Sequence, residues 1–180
     1  MWYIGKKRIR LTAERGNGMG KLRNMTAIYL LRGDQVLLLF RQGGRVVSDV
    51  WTGSAGGHFE PFELNDARAC VLRELEEELG LCERDLQDLS MRYVTLRSTN
   101  GEIRQNYYFF AELNKTVPWD LRSNEGRVQW FPIDQTALLP MPFTAKYVLE
   151  HYRKSGRYSR KQYVGVTDED GVTFLELPVT

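Results

Sequence analysis

One helix, signalled at both ends, constrains this chain more than any other feature. Asn65 or Asp66 can accept from the free N–H groups of a first turn, and Gly80 is placed to end the helix in the left-handed conformation, which predicts a helix over residues 66 to 79. With Glu74 at 0° and about 100° per residue, Glu77 falls at about 300° and Glu78 at about 40°, while Val71, Leu72, Leu75 and Leu79 fall between about 60° and 160°. The three carboxylates share a face that abuts the buried face instead of opposing it.

Like charges at these spacings repel, so something should compensate them. Hard carboxylate oxygens converging from one side suit Mg²⁺ or Mn²⁺, ions that share their shells with phosphates. Arg73 reaches Glu77 at i,i+4 and Glu76 at i,i+3, where a guanidinium can orient a carboxylate. The stretch from Arg41 to Glu60, with Gly43, Gly44, Gly53, Gly56 and Gly57, brings bare backbone close to something, as an active-site loop would.

The remaining chain reads as strands and one more helix. Thr26–Leu31 and Gln35–Phe40 flank an Arg-Gly-Asp turn and predict a hairpin. Met91–Leu96, the aromatic run Asn106–Leu113 and Arg127–Ile133 read as strands, with a polar loop over Val117–Gly126. Thr144–Ser155 has helical periodicity, and Gln162–Thr167 and Val172–Leu177 form a closing hairpin. A mixed sheet flanked by two helices is the expected α/β architecture.

Composition narrows the function classes. The 180 residues carry 25 basic and 23 acidic side chains, a formal charge of +2, so bulk charge argues for no polyanionic partner. Cys70 and Cys82 are too few for a disulfide framework and lie outside metal or redox spacings. With no long apolar run and charges throughout Met1–Arg10, neither a membrane span nor a signal peptide is expected, and the expected compartment is the cytoplasm. Residues 1 to 24 form a basic arm, read either as a phosphate or nucleic-acid contact or as a short edge strand (Trp2–Ile4, Ile9–Leu11) with a solvated loop.

Gly57, Glu63 and the run Arg73-Glu74-Leu75-Glu76-Glu77-Glu78-Leu79-Gly80-Leu81 resemble the Nudix box, G-x5-E-x7-R-E-U-x-E-E-x-G-U with U aliphatic. The second half matches at every fixed position. Nine residues separate Glu63 from Arg73 where the pattern has seven, which puts the role of Glu63 in question. The resemblance implies a Nudix-type α/β/α sandwich, with a mixed β-sheet between helices, over residues 25 to 180. It also implies a Mg²⁺-dependent hydrolase of nucleoside triphosphates, Mn²⁺ being an alternative, that releases a nucleoside monophosphate and pyrophosphate. Nucleotide-pool sanitising enzymes acting on 8-oxo-dGTP are the nearest likeness. The other readings are hydrolysis of a nucleoside diphosphate linked to a sugar or other moiety, and an inactive Nudix-fold binding module.

Carried over residue by residue, the resemblance implies Glu74, Glu78, Glu77 and the Gly56 carbonyl as metal ligands, and Glu77, Glu74 and Arg73 as catalytic residues. Arg41, Trp51, Gly57 and Phe143 would bind substrate. As isolated residues, Arg41 would be a solvated strand-end charge and Trp51 core. Glu102 is a second candidate base, or a solvated turn residue; His58 and His151 carry no assigned role. The expected partner is a small-molecule nucleotide, with no membrane or nucleic acid, the chain acting as a monomer or homodimer.

Overall fold

The computed structural model describes residues 20–42 and 49–178. The edge strands expected at Trp2–Ile4 and Ile9–Leu11, with Gly43 and Gly44, lie outside them. The element order is β1 (Lys21–Arg32), β2 (Gln35–Arg41), β3 (Val50–Thr52), α1 (Ala67–Leu79), β4 (Leu86–Thr99), β5 (Glu102–Leu113), β6 (Arg127–Pro132), α2 (Phe143–Lys154), β7 (Gln162–Thr167) and β8 (Val172–Leu177), with short 3-10 turns between. β1 starts at Lys21, inside the segment read as the basic arm.

The strands form one mixed sheet, β3-β2-β1-β5-β4-β7-β8, with β6 on the other edge of β2. β1 runs parallel to β5 from Lys21 against Glu102 to Leu31 against Glu112. Successive side chains alternate between faces. Ile28, Leu30, Phe109, Ala111 and Leu113 therefore pack with Val71 and Leu75 of α1, while Tyr29, Leu31, Tyr108 and Phe110 pack with Val148, Leu149 and Tyr152 of α2. This is the expected sandwich. β4 is longer than its apolar pattern indicated, because bulges between Gln87 and Ser90 and between Met91 and Tyr93, beside Asp88 at φ 54°, break the alternation that reads as a strand.

The local signals for α1 act as expected: the Asp66 carboxylate accepts from the Ala69 N–H at 2.9 Å, and Gly80 closes the helix at φ 66°. One feature of the sheet positions the site. β1 and β2 pair only from Leu30 to Arg32, then diverge. Residues 53–59 fill the wedge, with Thr26 N–H donating to Gly57 O at 2.8 Å and Ile28 N–H to Ala55 O at 2.9 Å. Ser54, fully buried, spans both strands: its hydroxyl donates to Leu37 O at 2.6 Å and accepts from Leu30 N–H at 2.8 Å. A β-carbon on Gly53 would lie 2.9 Å from Ile28 O, and one on Gly56, at φ 144°, would collide with the backbone of Thr26 and Ala27. The glycines thus let this segment lie flush against β1.

Candidate active site

The wedge segment meets the C-terminal half of α1. Glu78 is buried, and one of its oxygens accepts from Gly56 N–H at 3.1 Å while the other accepts from Arg41 at 3.3 Å. Burial pushes the Glu78 carboxyl up to about 7, against the smaller opposing pull of Arg41 and the Gly56 N–H. The Glu74 carboxylate lies against Gly57, where a β-carbon would overlap it. Burial raises its pKa too, with Arg73 pulling the other way.

Arg73 organises the remaining carboxylates. Its Nε and Nη2 donate to the two oxygens of Glu63 at 2.7 and 3.0 Å, its Nη1 donates to Glu74 and Glu77 at 2.9 Å each, and Nη2 also reaches His58 O at 3.1 Å. The expected reach to Glu76 is absent among the described ion pairs; Glu74 and Glu63 take its place. Glu63 is 1% exposed, and the Arg73 hydrogen bonds hold its carboxyl down to about 2 against the cost of burial. The nine residues between Glu63 and Arg73 run through a turn at Leu64 and Asn65, the cap Asp66 and the first turns of α1.

Glu77 departs from the expected cluster. It is 58% exposed on the side of α1 away from the apolar residues, where Arg73, one helical turn earlier, pairs with it at 2.9 Å. Among the described residues no group of three or more Asp, Glu, His or Cys side chains converges as a metal cage. The donors at hand nevertheless fit a divalent cation. Glu74 and Glu78 are crowded carboxylates, the first partly and the second fully buried; burial raises the pKa of both, and the charge of Glu74 adds to the rise of Glu78. The neighbouring Gly56 carbonyl accepts no hydrogen bond among the described residues. Hard oxygens of this kind, in a site open to solvent, match Mg²⁺ or Mn²⁺.

Gly56 and Glu78 form one end of a cavity of about 430 Å³ on the α2 face, whose walls include Arg23, Arg97, Arg104, Asn106 and Phe143. Arg41 lines it and also lies 4.0 Å from Glu125. Two expected substrate contacts differ in the structure. Trp51 is 7% exposed and packs edge-on against Phe131, with Phe40 on another side, so this large aromatic serves the core instead of the cavity wall. Phe143 does line the cavity, but the Arg97 guanidinium covers its ring at 4.5 Å, and Tyr147 packs beside it at 5.1 Å. Glu102 pairs with Arg104 at 3.3 Å. His58 accepts from Arg23 Nε at 2.6 Å, and burial followed by the charges of Arg23, Arg41 and Arg104 lowers its pKa.

Sequence reasoning missed Ser54, Arg97 and Arg104, and placed Arg23 in a basic arm and not in a strand. Arg23 and Arg104 lie in strands with alternating polar residues, but only the pairing of those strands brings them together. No helix among the described residues is long and apolar enough to cross a membrane.

A family model for the NUDIX domain matches residues 21–152. Among solved structures, the chain is similar to the mutator MutT protein of Bacillus halodurans, with 22% identity over 88% of this chain and 99% of that one, at a TM-score of 0.58. It is also similar to a C. elegans Ap4A hydrolase (19% identity, 77% and 99% covered, TM-score 0.58). A third similar structure is the E. coli dihydroneopterin triphosphate pyrophosphohydrolase (18%, 73% and 93%, 0.56). At these identities the structural likeness shows the fold alone. Among curated proteins, none matches the chain significantly.

Proposed function

The chain belongs to the NUDIX family of hydrolases, and from that premise we propose that it is a divalent-metal-dependent pyrophosphohydrolase of nucleoside triphosphates, releasing a nucleoside monophosphate and pyrophosphate. The observation that carries this reading is the pair of crowded carboxylates, Glu74 against the bare backbone of Gly57 and Glu78 bonded to Gly56 N–H, with Glu78 and Gly56 lining an arginine-rich cavity.

Glu74, Glu78 and the Gly56 carbonyl would hold Mg²⁺, or Mn²⁺, with Glu77 in a water-bridged place. Such an ion supplies neutralisation of phosphate charge and acidifies a bound water. The chain's own residues do the positioning. Arg73 fixes Glu74 and Glu77 while Glu63 fixes Arg73, so the carboxylates keep one arrangement before substrate arrives. Arg41, reaching the same Glu78, offers its guanidinium to an incoming phosphate. Gly57 leaves room for the Glu74 carboxylate that any side chain would displace.

The similar proteins whose names state a substrate act on different phosphate compounds, Ap4A and the pterin dihydroneopterin triphosphate, so base preference has to come from this cavity's own wall. Oxidised purine nucleotides such as 8-oxo-dGTP remain the leading named candidates. Asn106, whose amide donates weakly to Thr144, is one polar group on the cavity wall that a base edge would meet. A nucleotide panel with Mg²⁺, scored for products, tests the assignment. Monophosphate plus pyrophosphate is the expected result. Two monophosphate-bearing halves would point to a nucleoside diphosphate linked to another moiety, and no hydrolysis with Mg²⁺ or Mn²⁺ would leave a binding module.

A further inference from the structure

Three arginines from three neighbouring strands stand side by side on the cavity wall. Arg23 of β1 is the register partner of Arg104 of β5, and Arg104 is the register partner of Arg97 of β4. Residues paired this way project to the same face of a sheet, and all three line the cavity. Like charges directly opposite each other destabilise a sheet, so such a row needs a compensating anion.

The protein supplies little of one. Among the described ion pairs, Glu102 alone serves the row, 3.3 Å from Arg104 and 3.9 Å from Arg23. Arg97 has no carboxylate partner among the described residues and rests on the Phe143 ring. Arg41 differs, since its charge is already turned toward Glu78 and Glu125. The row begins beside the catalytic loop, where Arg23 Nε donates to His58, the residue after Gly57. Two strand spacings of about 4.8 Å carry it some 10 Å farther, to Arg97. An anhydride seated at Gly56 and Gly57 would meet the near end and leave the far end unused.

We propose that Arg23, Arg104 and Arg97 form a track for negative charge lying beyond the cleaved anhydride. Favoured substrates then carry a further phosphate, either in a longer polyphosphate chain or as a phosphomonoester on the distal group. Guanidinium groups in a row can take successive phosphate oxygens in forked hydrogen bonds. The track rests on the reading that the scissile anhydride sits at Glu74 and Glu78.

Two substrate series separate the sources of that phosphate. One is adenosine di-, tri- and tetraphosphate; the other is a nucleoside diphosphate compound with and without a phosphomonoester on its distal sugar. With the full chain and Mg²⁺, kcat/KM should rise about tenfold with the extra phosphate, mainly through KM, and R97Q and R104Q should each remove most of that preference. R104K should restore part of it. A rise in the first series alone identifies the polyphosphate chain, and in the second alone the distal phosphomonoester. An unchanged preference in both variants overturns the track. Calorimetry with inorganic tripolyphosphate and pyrophosphate keeps the two readings apart. If nothing is hydrolysed, yet tripolyphosphate binds R104Q about tenfold more weakly than wild type, the track stands and the hydrolase assignment falls. Equal binding by both proteins overturns the track whatever the activity.

Discussion

Arg73 and Glu63 meet through two hydrogen bonds of 2.7 and 3.0 Å, although the chain between them is two residues longer than the family pattern. The pairing is buried on the Glu63 side and is extended by Glu60 N–H, which donates to the same carboxylate at 2.9 Å. Glu63 is therefore a positioning residue for Arg73. Glu63→Gln should lower stability by about 3 kcal/mol, because it leaves a cation without its main partner, and should reduce kcat through the loosened Glu74. Chemical denaturation and steady-state kinetics read the two effects.

The same pair sets a pH dependence with a definite sign. Glu63 titrates at about 2 in the folded chain against an ordinary value of 4.5, so its contribution is fully present above 4.5 and is lost as pH falls from there toward 2. Urea midpoints measured across that window should fall in wild type and fall less steeply in Glu63→Gln. Parallel slopes would remove the pair as the cause.

Glu78→Gln keeps the side chain's size and its contact with Gly56 N–H but removes the negative charge proposed to hold the metal. Mg²⁺-dependent turnover should drop by at least about 100-fold, with the far-ultraviolet spectrum unchanged. Full residual activity would contradict the metal assignment.

Adjacent glycines should respond differently to alanine. At Gly57 the atoms nearest the new methyl are those of the Glu74 carboxylate, a side-chain end and not backbone, so activity should collapse while the melting temperature moves little. At Gly56 it meets β1 backbone and the residue sits at φ 144°, so the melting temperature itself should fall. Thermal unfolding of both variants, beside their turnover, checks the contrast.

Ser54→Ala removes one hydroxyl that satisfies two buried backbone groups on diverging strands, Leu30 N–H and Leu37 O. A cost of about 1–3 kcal/mol is expected, the price of leaving those groups unpaired, and hydrogen exchange should quicken at the β1–β2 junction. No change in exchange there would show that the wedge is held by other bonds.

Local chemistry made much of this fold legible. The Gly33 turn between β1 and β2, at φ 60°, the Asp66 and Gly80 caps of α1, and the β7–β8 hairpin all depend on residues close in sequence. What stayed hidden depends on pairing between distant segments. The parallel register of β1 on β5 places Arg23 opposite Arg104, and nothing in either strand's own pattern encodes it. The carboxylate face of α1 was visible from helical spacing, whereas the pairing of Arg73 with Glu63 depends on where the chain before the helix places that carboxylate. Trp51 shows the converse: the family resemblance suggested a substrate contact, whereas the residue read alone was core, and Phe40 and Phe131 pack its ring there.

The divergence of β1 from β2 also separates two tasks onto opposite sides of one sheet. α1 packs on one face and carries Glu74 and Glu78, while the arginine row lies on the other face, along β1, β5 and β4. On the proposed reading, substitutions on β4 and β5 would retune which nucleotide is favoured without touching the carboxylates of α1, and the bond-breaking apparatus would be inherited intact while its clientele changes.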